Sequence, residues 1–174
     1  MEAALHPNTQ YEELYAAHHA RIVRLGRMLL ANPDDAEEVG QEVFLKLFQA
    51  CQTETRPMQW GPWLTRVAVN ACRDRRRSGW WKLWRESSVE LQEGSITSAE
   101  PSPEAQAVGR ERRDRIWQSF RRLAARQQEV FVLRHVEGWS TEAVAQALGL
   151  SSGSVKRHLF RAIRHLRAAL EVNG

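Results

Sequence analysis

The chain has 174 residues, with 25 Lys+Arg against 21 Asp+Glu, a formal net charge of +4 and a pI near 9.6. It contains no run of eighteen apolar residues, and Met1 to Gln10 lack the basic-then-apolar pattern of a secretory signal, so neither a membrane span nor export is expected and the location expected is cytoplasmic. Cys51 and Cys72 form no CxxC pair, which argues against a disulfide framework or a thiolate zinc site and suits two small apolar fillers.

Pro and Gly are scarce except around residues 57–62, 94–103 and 149–153, and apolar residues recur between them at three- and four-residue spacing. This predicts an all-α chain, with helices over roughly 9–31, 34–51, 60–78, 104–123, 127–137, 141–148 and 152–170. Charge divides the same chain in three. Residues 1–85 hold 12 basic and 10 acidic groups, 86–109 hold none and 5, and 110–174 hold 13 and 6. The expectation is two small helical domains, 1–85 and 110–174, joined by a flexible acidic linker over 86–109.

In the first unit, Asn32-Pro33-Asp34-Asp35-Ala36-Glu37-Glu38 reads as a helix start, with Pro in the preceding turn and carboxylates near the positive helix end. Val39, Val43, Leu47 and Ala50 then face inward with Phe44 beside them, leaving Asp34, Asp35, Glu38, Gln41 and Glu42 outward. Such a charge run fits a solvated face, and its mixture with Gln41 and Phe48 fits a protein-binding face equally well. After a break at residues 55–62 comes a helix with Trp63, Leu64, Val67, Ala68 and Ala71 on one side. Its other side carries Arg66, Asn70, Arg73, Asp74 and Arg77. Cations beside a loop rich in aromatic and apolar groups suit unstacked single-stranded DNA, and a solvated Arg-rich helix end fits the same residues. The segment Gly79 to Arg85 holds Trp80, Trp81 and Trp84, which form either a docking surface or an addition to the first core.

In the second unit, Val144, Ala147 and Leu148 make the inner face of a short helix, and Gly149 suits the left-handed position that stops it. Ser152 or Ser154 can cap the next helix, whose inner stripe is Val155, Leu159, Ile163, Leu166 and Leu170. Its outer face shows Lys156, Arg157, Phe160, Arg161 and Arg164. A short helix, a Gly-containing turn and a basic second helix are the parts of a DNA-binding helix-turn-helix. Lys156, Arg157, Phe160 and Arg161 are placed to reach base edges, and Ser154 and Arg164 to hold phosphates.

Taken together, the blocks YEELYAAHHARIVRLGRMLLANPDDAEEVGQEVFLKLF, WLTRVAVNACRDRRR and LAARQQEVFVLRHVEGWSTEAVAQALGLSSGSVKRHLFRAIRHLR resemble regions 2 and 4 of the extracytoplasmic-function sigma factors of bacterial RNA polymerase. The resemblance implies a non-enzymatic, dissociable promoter-specificity subunit. It implies that Asp35-Ala36-Glu37 to Gln41-Glu42-Val43-Phe44, with Asp34 and Glu38 in the same acidic run, dock on the β′ coiled coil of the polymerase core. By position, Trp60 and the loop around Met58 would border the pocket that captures a flipped −10 base, with Asn70, Arg73 and Arg76 tracking the strand beside Arg66 and Arg77. The helix-turn-helix would read the duplex −35 element near the β flap, and an anti-sigma factor would hold the protein in check. Two departures stand out. Many relatives carry Lys/Arg-Ser-Arg where this chain has Lys156-Arg157-His158, which is expected to shift the −35 preference. The Trp-rich segment is not required by the family pattern, and docking to a regulator is one hypothesis for it.

A free-standing helix-turn-helix regulator explains residues 123–170 as well, but leaves the acidic block and the WLTRVAVN helix without a purpose. Binding to core polymerase separates the two. No Gly-x-Ser-x-Gly, Walker A or His-Glu-x-x-His is present, and the adjacent His18 and His19 point to different helix faces. No cofactor, metal or catalytic residue is expected.

Overall fold

The computed structural model describes residues 7–54, 58–83 and 103–171. Thr55, Arg56 and Pro57, Trp84, the side chains of Trp80 and Trp81, and the linker as far as residue 102 lie outside the described residues. The chain divides into two compact units, Met1–Glu93 and Gly94–Gly174. Every regular element among the described residues is helical.

In the first unit, α1 spans Pro7–Leu29, α2 Pro33–Thr53 and α3 Trp60–Leu83, each packed on the other two. Pro33 is the first residue of α2 rather than part of the turn before it, where its missing N–H costs nothing. Asn32 is the cap, its Oδ1 accepting from the Asp34 N–H at 2.8 Å. The core is built from Ile22, Leu25 and Leu29 of α1, Val39, Val43, Phe44 and Leu47 of α2, and Leu64, Ala68 and Val69 of α3. Cys51 and Cys72 are buried in it. Phe44, expected at the edge of the stripe, is fully inside, because Tyr15 and His19 of α1 cover its ring. Ala50 and Val67 are only half-buried. Gly26 lets α1 approach α2 closely, since a Cβ there would sit 3.3 Å from the Ala36 carbonyl oxygen.

The second unit contains α4 (Pro103–Arg121), α5 (Ala125–Phe131), α6 (Thr141–Leu148) and α7 (Ser152–Glu171). Residues 103–109, which the charge pattern placed in the linker, form the start of α4. Gln128 donates through Nε2 to the carbonyls of Phe120 (3.1 Å) and Arg121 (3.2 Å), closing the end of α4 from α5. The helix expected over 127–137 is not uniform, for α5 widens into a π-helical turn at Val132–Val136. Gly138, at φ 70°, then reverses the chain. Ser140 caps α6, its Oγ accepting from the Ala143 N–H at 3.0 Å.

Gly149 ends α6 at φ 64°, ψ 41°, and the N–H groups of Gly149 and Leu150 both bond the Ala145 carbonyl. The inner face of α6 is Val144, Ala145 and Leu148, so Ala145 takes the place expected for Ala147. Two expectations for α7 change as well. Its cap is Ser151, whose Oγ accepts from the Ser154 N–H at 3.1 Å, because the helix begins at Ser152. Its buried stripe is Val155, Ala162 and Leu166, while Leu159 and Ile163 are half-buried and Leu170 is exposed near the far end.

Candidate functional site

Three surfaces carry the residues singled out in the sequence. On α2, Asp34, Glu37, Glu38, Gln41 and Glu42 are exposed and Asp35 is half-buried. This face is less bare than a list of carboxylates suggests. Arg75 of α3, unnoticed in the sequence, pairs with Glu38 and lies 3.7 Å from Asp35. Lys46 pairs with Glu42 at 2.6 Å, and Arg27 reaches Glu37 at 4.0 Å. These exposed pairs contribute little to stability and chiefly orient the acids.

Beside the carboxylates is an open groove of about 390 Å³ between α1 and α2, lined by the aromatic and apolar side chains of Tyr11, Tyr15, His19, Phe44, Leu45 and Phe48 together with the polar Glu37 and Gln41. Leu45 is 58% exposed, and Tyr15 and Phe48 are each a little over one third exposed. The aromatic rings lock one another, with centroids 4.7 Å apart for Tyr15 and Phe44 and 5.4 Å for Tyr11 and Phe48. Exposed aromatic and apolar side chains beside charged ones are the composition of a protein-docking site. Sequence periodicity assigned Phe48 to this face but missed Leu45 and Tyr15, whose exposure depends on where α1 crosses α2. Burial pushes the Tyr11 phenol up from its usual value, with Tyr15 and Cys51 adding to the effect.

On α3, Arg66, Asn70 and Arg77 are exposed, and Arg73 donates to Asn70 Oδ1 at 3.4 Å. These four share the open side of the helix. Met58 and Trp60 are half-buried at its start, with the Trp60 ring edge-on to Trp63 at 5.7 Å. Arg76 differs from the other arginines. It donates to the Leu29 carbonyl and so ties α3 to the end of α1, a structural partner that nothing in its own segment announced.

On α7, Lys156, Arg157, Phe160, Arg161 and Arg164 are all exposed, Phe160 by 66%. A large aromatic ring left in water on a basic helix face gains nothing from folding. Ser154 is half-buried, and its hydroxyl accepts from the capping Ser151 and from Arg157. His158 lies behind this face. Burial holds its imidazole below the ordinary 6.5, and Arg161, Arg126 and Arg157 act in the same direction, while Glu129 opposes them. Glu129 is itself only 2% exposed and is paired with Arg126 at 2.9 Å.

The Sigma-70 region 2 family matches residues 14–82, and the Sigma-70, region 4 family matches residues 113–166. The RNA polymerase sigma-E factor of Streptomyces avermitilis is 30% identical over 162 residues, covering 93% of this chain and 86% of that protein. The ECF RNA polymerase sigma factor SigL of Mycobacterium tuberculosis is 30% identical over 164 residues, covering 92% and 89%. The sigma factor RpoE of Bartonella quintana, solved in complex with the anti-sigma factor NepR, has the same fold, with a TM-score of 0.71 at 19% identity over 95% of this chain and 99% of that one. CnrH, solved in complex with the cytosolic domain of CnrY, has a TM-score of 0.64 at 23% identity, covering 99% and 95%.

Proposed function

The chain belongs to the extracytoplasmic-function sigma factors of the sigma-70 family, and from that premise we propose how its surfaces divide the work of directing core RNA polymerase to a promoter. The acidic face of α2, Asp34, Asp35, Glu37, Glu38, Gln41 and Glu42, docks on the β′ coiled coil, and the adjoining groove with Leu45 and Phe48 supplies the apolar anchor. The open side of α3, Arg66, Asn70, Arg73 and Arg77, follows the single-stranded −10 element, with Met58 and Trp60 beside the flipped base. Arg76 supports that helix from behind. On α7, Lys156, Arg157, Phe160 and Arg161 face the bases of the duplex −35 element, and Arg164 faces phosphate near the β flap.

The protein works in the cytoplasm as a subunit of the polymerase and catalyses no reaction of its own. The sigma factor RpoE, of the same fold and solved with the anti-sigma factor NepR, supports control by such a partner. The observation that carries the reading is the exposed acid and apolar face of α2 in the same chain as a basic helix-turn-helix, because a regulator acting on duplex DNA alone needs only the second.

Run-off transcription with core polymerase on randomised promoter fragments tests it. Enrichment of transcripts that share spaced −35-like and −10-like elements is expected. Binding to duplex DNA with no stimulated transcription would instead establish a free-standing regulator and remove the role given to α3.

A further inference from the structure

The hydroxyl of Ser154 accepts two hydrogen bonds, one from Ser151 Oγ at 3.0 Å and one from Arg157 Nη2 at 3.1 Å. Ser151 in turn accepts from the Ser154 N–H at 3.1 Å, so the cap of α7 and the guanidinium three residues further on form one connected chain. With both lone pairs of its oxygen engaged, Ser154 holds the arginine in place. A long side chain on an exposed helix face otherwise loses much rotamer freedom when it meets a ligand, and holding it beforehand removes part of that cost. A guanidinium has five N–H donors, and one bond to Ser154 leaves enough for two parallel bonds outward. That pattern matches the N7 and O6 acceptors on the major-groove edge of guanine. Arg157 lies in the first two turns of α7, where a recognition helix meets base edges, whereas Arg164 lies about two turns further along.

We propose that Arg157 sets the −35 preference of this protein by reading a guanine, and that Ser154 is its positioning residue rather than a phosphate contact. The proposal rests on the reading of α7 as the −35 helix.

The test uses holoenzyme reconstituted from core polymerase and the full chain, on promoters randomised one base pair at a time across the −35 element. The wild type is expected to favour a G·C pair at one position by about tenfold. Arg157→Ala should abolish that preference and leave the others unchanged, and Arg157→Lys should recover overall binding without the full preference. Ser154→Ala should weaken discrimination several-fold at the same base pair, have no further effect in the Arg157→Ala background, and be rescued by Ser154→Thr. Thermal unfolding of each variant checks that α7 is intact. If Arg157→Ala weakens every promoter equally, Arg157 is a phosphate contact and the guanine proposal fails. If Ser154→Ala weakens every promoter equally in both backgrounds, its positioning role fails. A wild-type holoenzyme that discriminates at no −35 position would overturn the reading of α7 itself, whereas discrimination left unchanged by Arg157→Ala overturns the proposal alone.

Discussion

Arg21 joins two helices with one side chain. Its Nη1 donates to Thr65 Oγ1 at 2.7 Å and its Nη2 to the Gly61 carbonyl at 3.1 Å, fastening α1 to the first turns of α3 just beyond Trp60. Thr65 is fully buried and also donates to Gly61, which is why a polar residue is tolerated among Leu64, Ala68 and Val69. Arg21→Ala is expected to lower stability by about 1–3 kcal/mol, read as a shift in the urea midpoint, and to loosen the segment that carries Trp60. His158 makes a second prediction. Its folded pKa lies below 6.5, so as pH falls through 6.5 the unfolded chain takes up a proton that the folded chain refuses, and stability declines with acidification. Above that pH both forms are neutral and the group contributes no slope. Unfolding melts between pH 5 and 7.5 should show the decline, and His158→Gln should flatten it. Neither Arg21 nor Arg75 was legible in the sequence, because each has partners about forty positions away and nothing local distinguishes it from a solvated arginine.

At the scale of elements, local chemistry is a good guide and packing corrects it. Gly149 sits in the left-handed region with nothing within 4 Å of where a Cβ would go, so the cost of a side chain there is purely one of backbone. Gly149→Ala should destabilise the protein by about 1–2 kcal/mol, with Gly149→Asn costing less, both measured by chemical denaturation. Leu47 makes the opposite case, fully buried where α2 meets its neighbours, and Leu47→Ala should cost about 2–5 kcal/mol by the same measurement. The periodic stripes placed the starts of α2, α3 and α7 to within a residue, because one apolar face per helix is enough to reveal a helix. They were less exact on what is buried: the inner face of α3 takes in Thr65, Val69 and Cys72 while Trp63 and Val67 are only half-buried, and of the five residues expected inside on α7 only Val155 and Leu166 are buried. Ala145 replaced Ala147 on α6 and Ala162 joined the stripe of α7, because a small side chain is buried or exposed according to the neighbour that reaches it. The π-helical turn at Val132–Val136 had no periodic signal either, as it adds a residue to a turn without changing residue type.

For the whole molecule, the proposed docking face yields a prediction that separates binding from folding. Leu45 is exposed, so Leu45→Asp should leave the unfolding midpoint within about 0.5 kcal/mol of wild type. Its affinity for core polymerase should nevertheless fall about tenfold or more, measured by titration of labelled protein, if the groove is the apolar anchor of that contact. The sequence by itself determined the all-α class, the helix limits to within a few residues, the basic face of α7 and the family, because periodicity, turn residues and motif spacing are properties of neighbours along the chain. Only the tertiary structure decided that Arg76 ties α3 to the end of α1, that Arg75 is paired with Asp35 and Glu38, and that Leu45 and Tyr15 border an open groove. It also placed the hydroxyl of Ser154 against Arg157. Each of these depends on which atoms meet once helices have packed and caps have closed, and hydrogen bonds and burial respond to distances in space that spacing along the chain does not contain.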